Sequence, residues 1–214
     1  MRIGILGAGH IGATTARLFA RAGHEVALSN SRGPASLEGL VAQINREVRA
    51  ARVRAATPQD AAAFGDVILL ALPWRAREAW PGPAAVRGKI VIDAMNAYTT
   101  TGGVVDLGAG TSSEEVAKRL AGARLVKAFN TINWEHLGGQ GRPDLPLPRR
   151  RAIFLAGDDA EAKRTVARLV EEIGFGPVDT GTLREGGRSQ QPGTLVYNRN
   201  LTQEEATAIL AAAH

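Results

Sequence analysis

Residues 7–12 read Gly7-Ala8-Gly9-His10-Ile11-Gly12. Glycines at the G-x-G-x-x-G spacing give a backbone the means to approach a diphosphate. Gly7 permits a tight turn. Gly9 removes the side chain that would stand between backbone and phosphate. Gly12 lets a following helix pack close on the preceding strand. The pattern is weak alone, but its context is specific. The apolar run Arg2–Leu6 precedes it and an amphipathic run, Ile11–Arg21, follows. The turn therefore opens a helix, whose free N–H groups and positive dipole end favour an anion. Gly7, Gly9, His10, Ile11 and Gly12 are read as the cradle of a dinucleotide pyrophosphate.

The second apolar run, Glu25–Leu28, ends in Ser29-Asn30-Ser31-Arg32. In dinucleotide folds a carboxylate at this place holds the adenosine ribose hydroxyls of NAD. Here there is none; the nearest, Glu25, stands at the start of the run. A carboxylate would repel a 2′-phosphate. Hydroxyls and a guanidinium would bind it, with charge-assisted hydrogen bonds of roughly 1.5–3 kcal/mol each. Ser29, Asn30, Ser31 and Arg32 therefore point to NADP(H).

Ligands in doubly wound sheets sit beyond the carboxyl ends of the strands. Leu72-Pro73-Trp74, Ala94-Met95-Asn96-Ala97-Tyr98 and Asn130-Thr131-Ile132-Asn133 each follow an apolar run. Together they offer apolar walls, amides and hydroxyls, a lining suited to a nicotinamide ring. Leu72, Pro73, Trp74, Asn96, Ala97 and Asn130 are the candidates on this side. The acid–base inventory is thin. His10, Asn130 and His136 are the catalytic candidates, and none is decisive. His24 follows the helix-ending Gly23 and reads as structural; His214 is terminal. No Ser–His–Asp set or metal-ligand spacing is present. Such a site suits hydride transfer between two bound rings, where the cofactor carries the chemistry. Two alternatives stay open. A reductase of a small carbonyl or imine would draw a proton from His10 or His136. A non-catalytic NADPH sensor would keep the cofactor site alone.

These residues need a scaffold, and the rest of the chain supplies one. Its 214 residues suit one compact domain with a small appendage. Apolar residues make up 44% and charged residues 22%, a globular balance. No apolar run is long enough to span a membrane, and Met1-Arg2 does not open a signal peptide. There is no cysteine, so a cytoplasmic location is expected. The net charge is +5, yet the arginines are dispersed and aromatic residues reach only 5%, too few for base stacking. A small anionic ligand is expected rather than nucleic acid.

The patterns predict strands at Arg2–Leu6, Glu25–Leu28, Val53–Ala56, Asp66–Leu72, Lys89–Asp93, Arg124–Phe129, Arg151–Ala156 and Pro177–Asp179. Helices are predicted at Ile11–Arg21, Ser36–Val48, after Thr57-Pro58, after Trp74 with a break at Pro81-Gly82-Pro83, at Ser113–Leu120 behind a serine cap, and at Ala160–Ile173. A last helix opens on the capping box Thr202-Gln203-Glu204-Glu205. Residues 130–148 read as a long loop and 182–200 as irregular. Alternating strands and helices imply a Rossmann-type α/β fold with a doubly wound parallel sheet. Residues 1–180 are assigned to the NADP-binding domain and 181–214 to a small C-terminal segment completing the substrate cleft.

The motifs GILGAGHIGATTARLFARAGHEV, SNSRGP, LLALPW, DAMNAY, VKAFNT, FLAGDD and GGRSQQPG resemble a family over nearly the whole chain. It is the NADP oxidoreductase family dependent on the deazaflavin coenzyme F-420 (hereafter F420). The resemblance implies a Rossmann domain with a small C-terminal part, in a homodimer. It places the turn of the cofactor site on Gly9, His10 and Ile11, the 2′-phosphate on Ser31 and Arg32, and the nicotinamide beside Pro73 and Trp74. It implies hydride transfer between NADPH and a small-molecule acceptor, deazaflavin or flavin-like, lying between the long loop and the C-terminal segment.

Overall fold

Short runs of Val, Ile, Leu and Ala build the sheet. The computed structural model describes residues 1–212, so His214 lies outside the described residues. β1 (Arg2–Leu6), β2 (Glu25–Ser29), β3 (Val53–Ala56), β4 (Val67–Leu70), β5 (Ile90–Asp93) and β6 (Arg124–Lys127) form one six-stranded sheet in the order β3-β2-β1-β4-β5-β6. Every pairing in it is parallel. The β4 and β5 strands are buried at every position, the mark of a sheet covered on both faces. One face packs on α1 (His10–Arg21) and α2 (Glu38–Val48), through Phe19, Leu18 and Ile44. The other packs on α3 (Pro58–Phe64), α4 (Pro83–Val86) and α5 (Ser112–Arg119), through Ala61, Val86 and Val116. The α3 backbone lies directly on β1: a Cβ at Gly4 would stand 2.1 Å from the Ala61 carbonyl oxygen. Strand order reverses between β1 and β4, and ligands of such sheets bind at that switch point.

Several local expectations are corrected. The loop predicted over 130–148 contains a helix, α6 (Trp134–Gly139), and a 3-10 turn at Leu147–Arg149. Asn133 caps α6 by accepting from the Glu135 N–H at 2.8 Å, and Leu137 anchors it in the core. The cap of α5 is Thr111, not serine; its hydroxyl accepts from the Glu114 N–H, and the Glu114 carboxylate accepts from the Thr111 N–H. After Trp74 there is only a 3-10 turn, Arg77–Ala79, before the short α4.

β7 (Ala152–Leu155), α7 (Ala160–Glu172) and β8 (Gly176–Asp179) form a separate two-stranded parallel sheet. β7 does not extend the main ladder, because the chain meets β6 antiparallel, through the single pair Lys127–Ala156. The 182–200 stretch holds a short helix, α8 (Glu185–Ser189), and α9 (Gln203–Ala212) closes the described chain. Its predicted capping box forms, with Thr202 and Glu205 exchanging hydrogen bonds.

His24 ties this second unit to the first. Its ring is buried and its Nε2 lies 2.8 Å from Glu172 Oε2. Burial pushes the imidazole below its ordinary 6.5, the Met1 ammonium adds to that, and Glu172 opposes it. The folded state then binds fewer protons at His24 than the unfolded chain. Its contribution is complete above the unfolded value and is lost as pH falls through it. Thermal unfolding is expected to show Tm declining below about pH 6.5. In His24→Gln this decline should be shallower; an identical pH dependence in both proteins would contradict the assignment.

Candidate functional site

The glycine turn joins β1 to α1, and its three glycines are held to that identity by different things. Gly7 has φ +106°, and a Cβ there would lie 2.2 Å from the Ala71 carbonyl oxygen. A Cβ at Gly12 would lie 1.8 Å from the Gly7 carbonyl oxygen. Both are fixed by the fold. Gly9 is not: its φ of −74° and ψ of −168° suit any residue, and nothing lies within 4 Å of its Cβ position. Gly9 is also the N-cap of α1 and brings no side chain, and the first helical turn carries no acid. The leading N–H groups of α1 thus face outward uncapped. The exposed His10 ring stacks on Trp134 of α6, with centroids 4.5 Å apart at 16°.

The loop after β2 is ordered by its own side chains. Asn30 Oδ1 accepts from the Arg32 N–H at 3.0 Å, and Asn30 Nδ2 donates to Ser36 Oγ at 3.0 Å. Ser29 is fully buried and its hydroxyl donates to the Ile5 carbonyl at 3.0 Å. Asn30 therefore shapes the loop. Ser31 and Arg32 stand exposed on it, and among the described residues Arg32 has no ion-pair partner.

These two segments line one side of a cavity of about 730 Å³. The other side is formed by Leu72, Pro73, Trp74, Arg75, Asn96 and Tyr98. Arg32 and Arg75 are its charged lining residues, and no carboxylate among the described residues lines it. Such a cavity is positive and large enough for a dinucleotide portion and a second ring. Trp74 is only 5% exposed, wedged edge-on against Trp80 at 5.3 Å. It supplies a rigid wall.

Of the residues singled out in the sequence, Gly7, Gly9, His10, Ile11, Ser29, Asn30, Ser31, Arg32, Leu72, Pro73, Trp74 and Asn96 all line this cavity. Four do not. Gly12 lies behind the turn, and Ala97 is in the core beneath. Asn130 is buried and reaches the cavity only through Asn96. Its Nδ2 donates to Asn96 Oδ1 at 3.2 Å and to the Gln190 carbonyl at 2.9 Å, and its own carbonyl accepts from Asn96 Nδ2 at 2.9 Å. His136, a catalytic candidate in the sequence, stands exposed on α6 and is not part of the lining.

Sequence reasoning missed a buried ion pair. Lys127 Nζ lies 3.0 Å from Asp93 Oδ2, and both side chains are sealed from solvent. The ammonium also donates to the Met95 carbonyl, and Asp93 Oδ1 accepts from the Met95 N–H at 3.0 Å. The pair clamps the segment leaving β5 and so sets Met95 and Asn96 on the cavity wall. A charge at the end of each of two apolar strands was the available signal.

A glycine turn at the switch point of a doubly wound sheet, above an acid-free cavity, defines a dinucleotide-binding Rossmann protein. Residues 2–97 match the model of the NADP oxidoreductase coenzyme F420-dependent family. It is 30% identical over 159 residues to the F420-dependent NADP reductase of Methanothermobacter thermautotrophicus, covering 70% of this chain and 66% of that protein. It is 27% identical over 187 residues to the metalloreductase STEAP3 of Rattus norvegicus, covering 85% of this chain. The chain spans about a third of that protein, 34%. The solved structure of SMa0349 from Sinorhizobium meliloti is 35% identical and superposes with a TM-score of 0.80, over 94% of this chain and 95% of that one.

The glycines give a sharp test. Gly9→Ala should fold with an unchanged Tm and lose NADPH affinity at least about tenfold, because a methyl group intrudes only on a ligand. Gly12→Ala should instead lower Tm by several degrees, on the order of a core overpacking cost. Fluorescence titration and thermal unfolding read the two effects. Wild-type affinity in Gly9→Ala would mean that no ligand approaches that position.

Proposed function

We propose that this chain passes a hydride between NADPH and a deazaflavin or flavin-like acceptor. The observation that carries the reading is Gly9, a glycine that the protein's own backbone and packing do not require. The residues around it fit NADPH. The N–H groups at the start of α1 hold the pyrophosphate, with Gly9, His10 and Ile11 around it. Ser31 and Arg32 take the 2′-phosphate, on a loop that Asn30 and the buried Ser29 hold in place. Pro73, Trp74 and Asn96 flank the nicotinamide, with Asn130 fixing the Asn96 amide. Bound NADPH supplies the hydride. The protein aligns the two rings and keeps water from them.

The acceptor reading draws on the family description and on the methanogen reductase's name. The C-terminal segment, 181–214, completes the acceptor side of the cleft. It touches the cavity wall through Tyr197, whose hydroxyl lies 2.7 Å from that of Tyr98.

Arg32→Ala is expected to weaken NADPH binding roughly ten- to hundredfold, the loss of one or two charged hydrogen bonds, and to leave NADH binding unchanged. Equal losses for both would contradict the 2′-phosphate assignment. The acceptor is tested by mixing the protein anaerobically with NADPH and oxidised F420, with flavin mononucleotide in parallel. Bleaching of F420 absorbance supports deazaflavin; reduction of neither acceptor overturns the acceptor reading while leaving the NADPH site to stand on its own binding data.

A further inference from the structure

Hydride arriving at a conjugated ring, a carbonyl or an imine drives an electron pair onto an oxygen or nitrogen, and that atom must take a proton. The cavity offers few groups able to give one. Its arginines do not release protons at ordinary pH. His10 lies on the turn read as the phosphate cradle, with its ring stacked on Trp134. His136 faces away. One phenol remains, Tyr98, on the wall that follows β5 and across the switch point from Arg32.

Tyr98 is built into that wall. Its N–H donates to the Asn96 carbonyl at 2.9 Å, and residues 97–105 fold into a small hairpin in which Tyr98 pairs with Val104. Its hydroxyl meets Tyr197 of the C-terminal segment at 2.7 Å. Tyr197 is held in turn. Its N–H donates to the Thr194 carbonyl, and the next residue, Asn198, donates its N–H to the Thr131 carbonyl at 3.0 Å. The Tyr197 oxygen also receives a longer contact from Asn96 Nδ2, at 3.4 Å. Burial, reinforced by Tyr98, keeps the Tyr197 phenol well above the ordinary tyrosine range. The two hydroxyls share one hydrogen bond in which either oxygen can donate.

We infer that Tyr98 is the proton donor to the reduced acceptor and that Tyr197 is its positioning partner. The inference rests on the reading of this cavity as an NADPH and acceptor site. A hydride from NADPH would bond to the acceptor's electrophilic carbon or ring nitrogen, and the displaced π electrons would move through the conjugated bonds to a nitrogen or oxygen that takes the Tyr98 proton. NADP⁺ leaves oxidised and the acceptor leaves carrying two hydrogens. The Tyr98 phenolate, held by the hydrogen bond from Tyr197, regains a proton from water at the cavity mouth. The substrate class follows: an acceptor with a ring nitrogen, imine or carbonyl whose reduced atom is basic enough to need the proton.

The test compares wild type, Tyr98→Phe and Tyr197→Phe, with NADPH and oxidised F420 as the pair and flavin mononucleotide alongside. Tyr98→Phe is expected to bind NADPH as tightly as wild type by fluorescence titration and to lose roughly a hundredfold or more in kcat/KM. The wild-type rate should fall at alkaline pH as the donor ionises, and that fall should vanish in Tyr98→Phe. Ultraviolet difference titration should show one tyrosinate signal that responds to NADP⁺ and is missing in Tyr98→Phe. Tyr197→Phe should keep the alkaline fall and lose a smaller factor, about tenfold. Wild-type rate and pH profile in Tyr98→Phe, with NADPH bound normally, overturn the proposal alone. Loss of NADPH binding in Tyr98→Phe assigns the residue a structural role and overturns it too. Failure of the wild type itself to bind NADPH overturns the underlying reading, and the proposal with it.

Discussion

The site depends on a place where two backbones touch with no side chain between them. The Gly12 Cα faces the Gly7 carbonyl, and the Gly7 Cα faces that of Ala71, at separations that leave no room for a methyl group. The N-terminus of α1 is thereby pressed onto the carboxyl ends of β1 and β4. The Gly7 N–H reaches across to the Ser29 carbonyl at 3.0 Å, which ties the glycine turn to the loop after β2. The free N–H groups of α1 and the Ser31–Arg32 pair are thus two ends of one rigid unit.

The opposite wall is organised by charge. Lys127 and Asp93 are fully buried, and taking two ions out of water is costly unless each is well hydrogen-bonded. Both find further partners on Met95, through its carbonyl and its N–H. The pair acts less as a stabiliser than as a clamp. It fixes the chain just before Asn96, and the reciprocal Asn96–Asn130 bonds carry that order to the segment after β6. The C-terminal residues join the same network through the Gln190 carbonyl and the Tyr197 hydroxyl.

Much of the cofactor side is legible in the sequence because its determinants are local. A buried parallel strand is a continuous apolar run, and the glycine turn and Ser-Asn-Ser-Arg loop each lie within a few residues of one. The opposite wall of the cavity is not local. Lys127 and Asp93 are 34 positions apart, and Tyr98 and Tyr197 are 99 apart. No periodicity announces such pairs; they exist only after β5, β6 and the C-terminal segment have converged. The α6 helix was hidden for another reason. Gly138 and Gly139 read as loop, yet Leu137 buried in the core and the Asn133 cap outweigh their poor propensity. With α6 formed, His136 is turned to solvent and Trp134 is brought onto His10. Short strands β7 and β8 were recognisable individually, but their separation from the main sheet rests on one antiparallel contact that composition does not encode.

The proposed 2′-phosphate site rests on the loop after β2, which carries a guanidinium and hydroxyls where a carboxylate would serve NAD. The direct measurement is titration calorimetry of the wild-type protein with NADPH and, separately, with NADH at the same ionic strength. NADPH should bind about ten- to hundredfold more tightly, the free energy of one or two charge-assisted hydrogen bonds. Equal affinities, or a preference for NADH, would contradict the assignment of Ser31 and Arg32 and with it the identity of the hydride source.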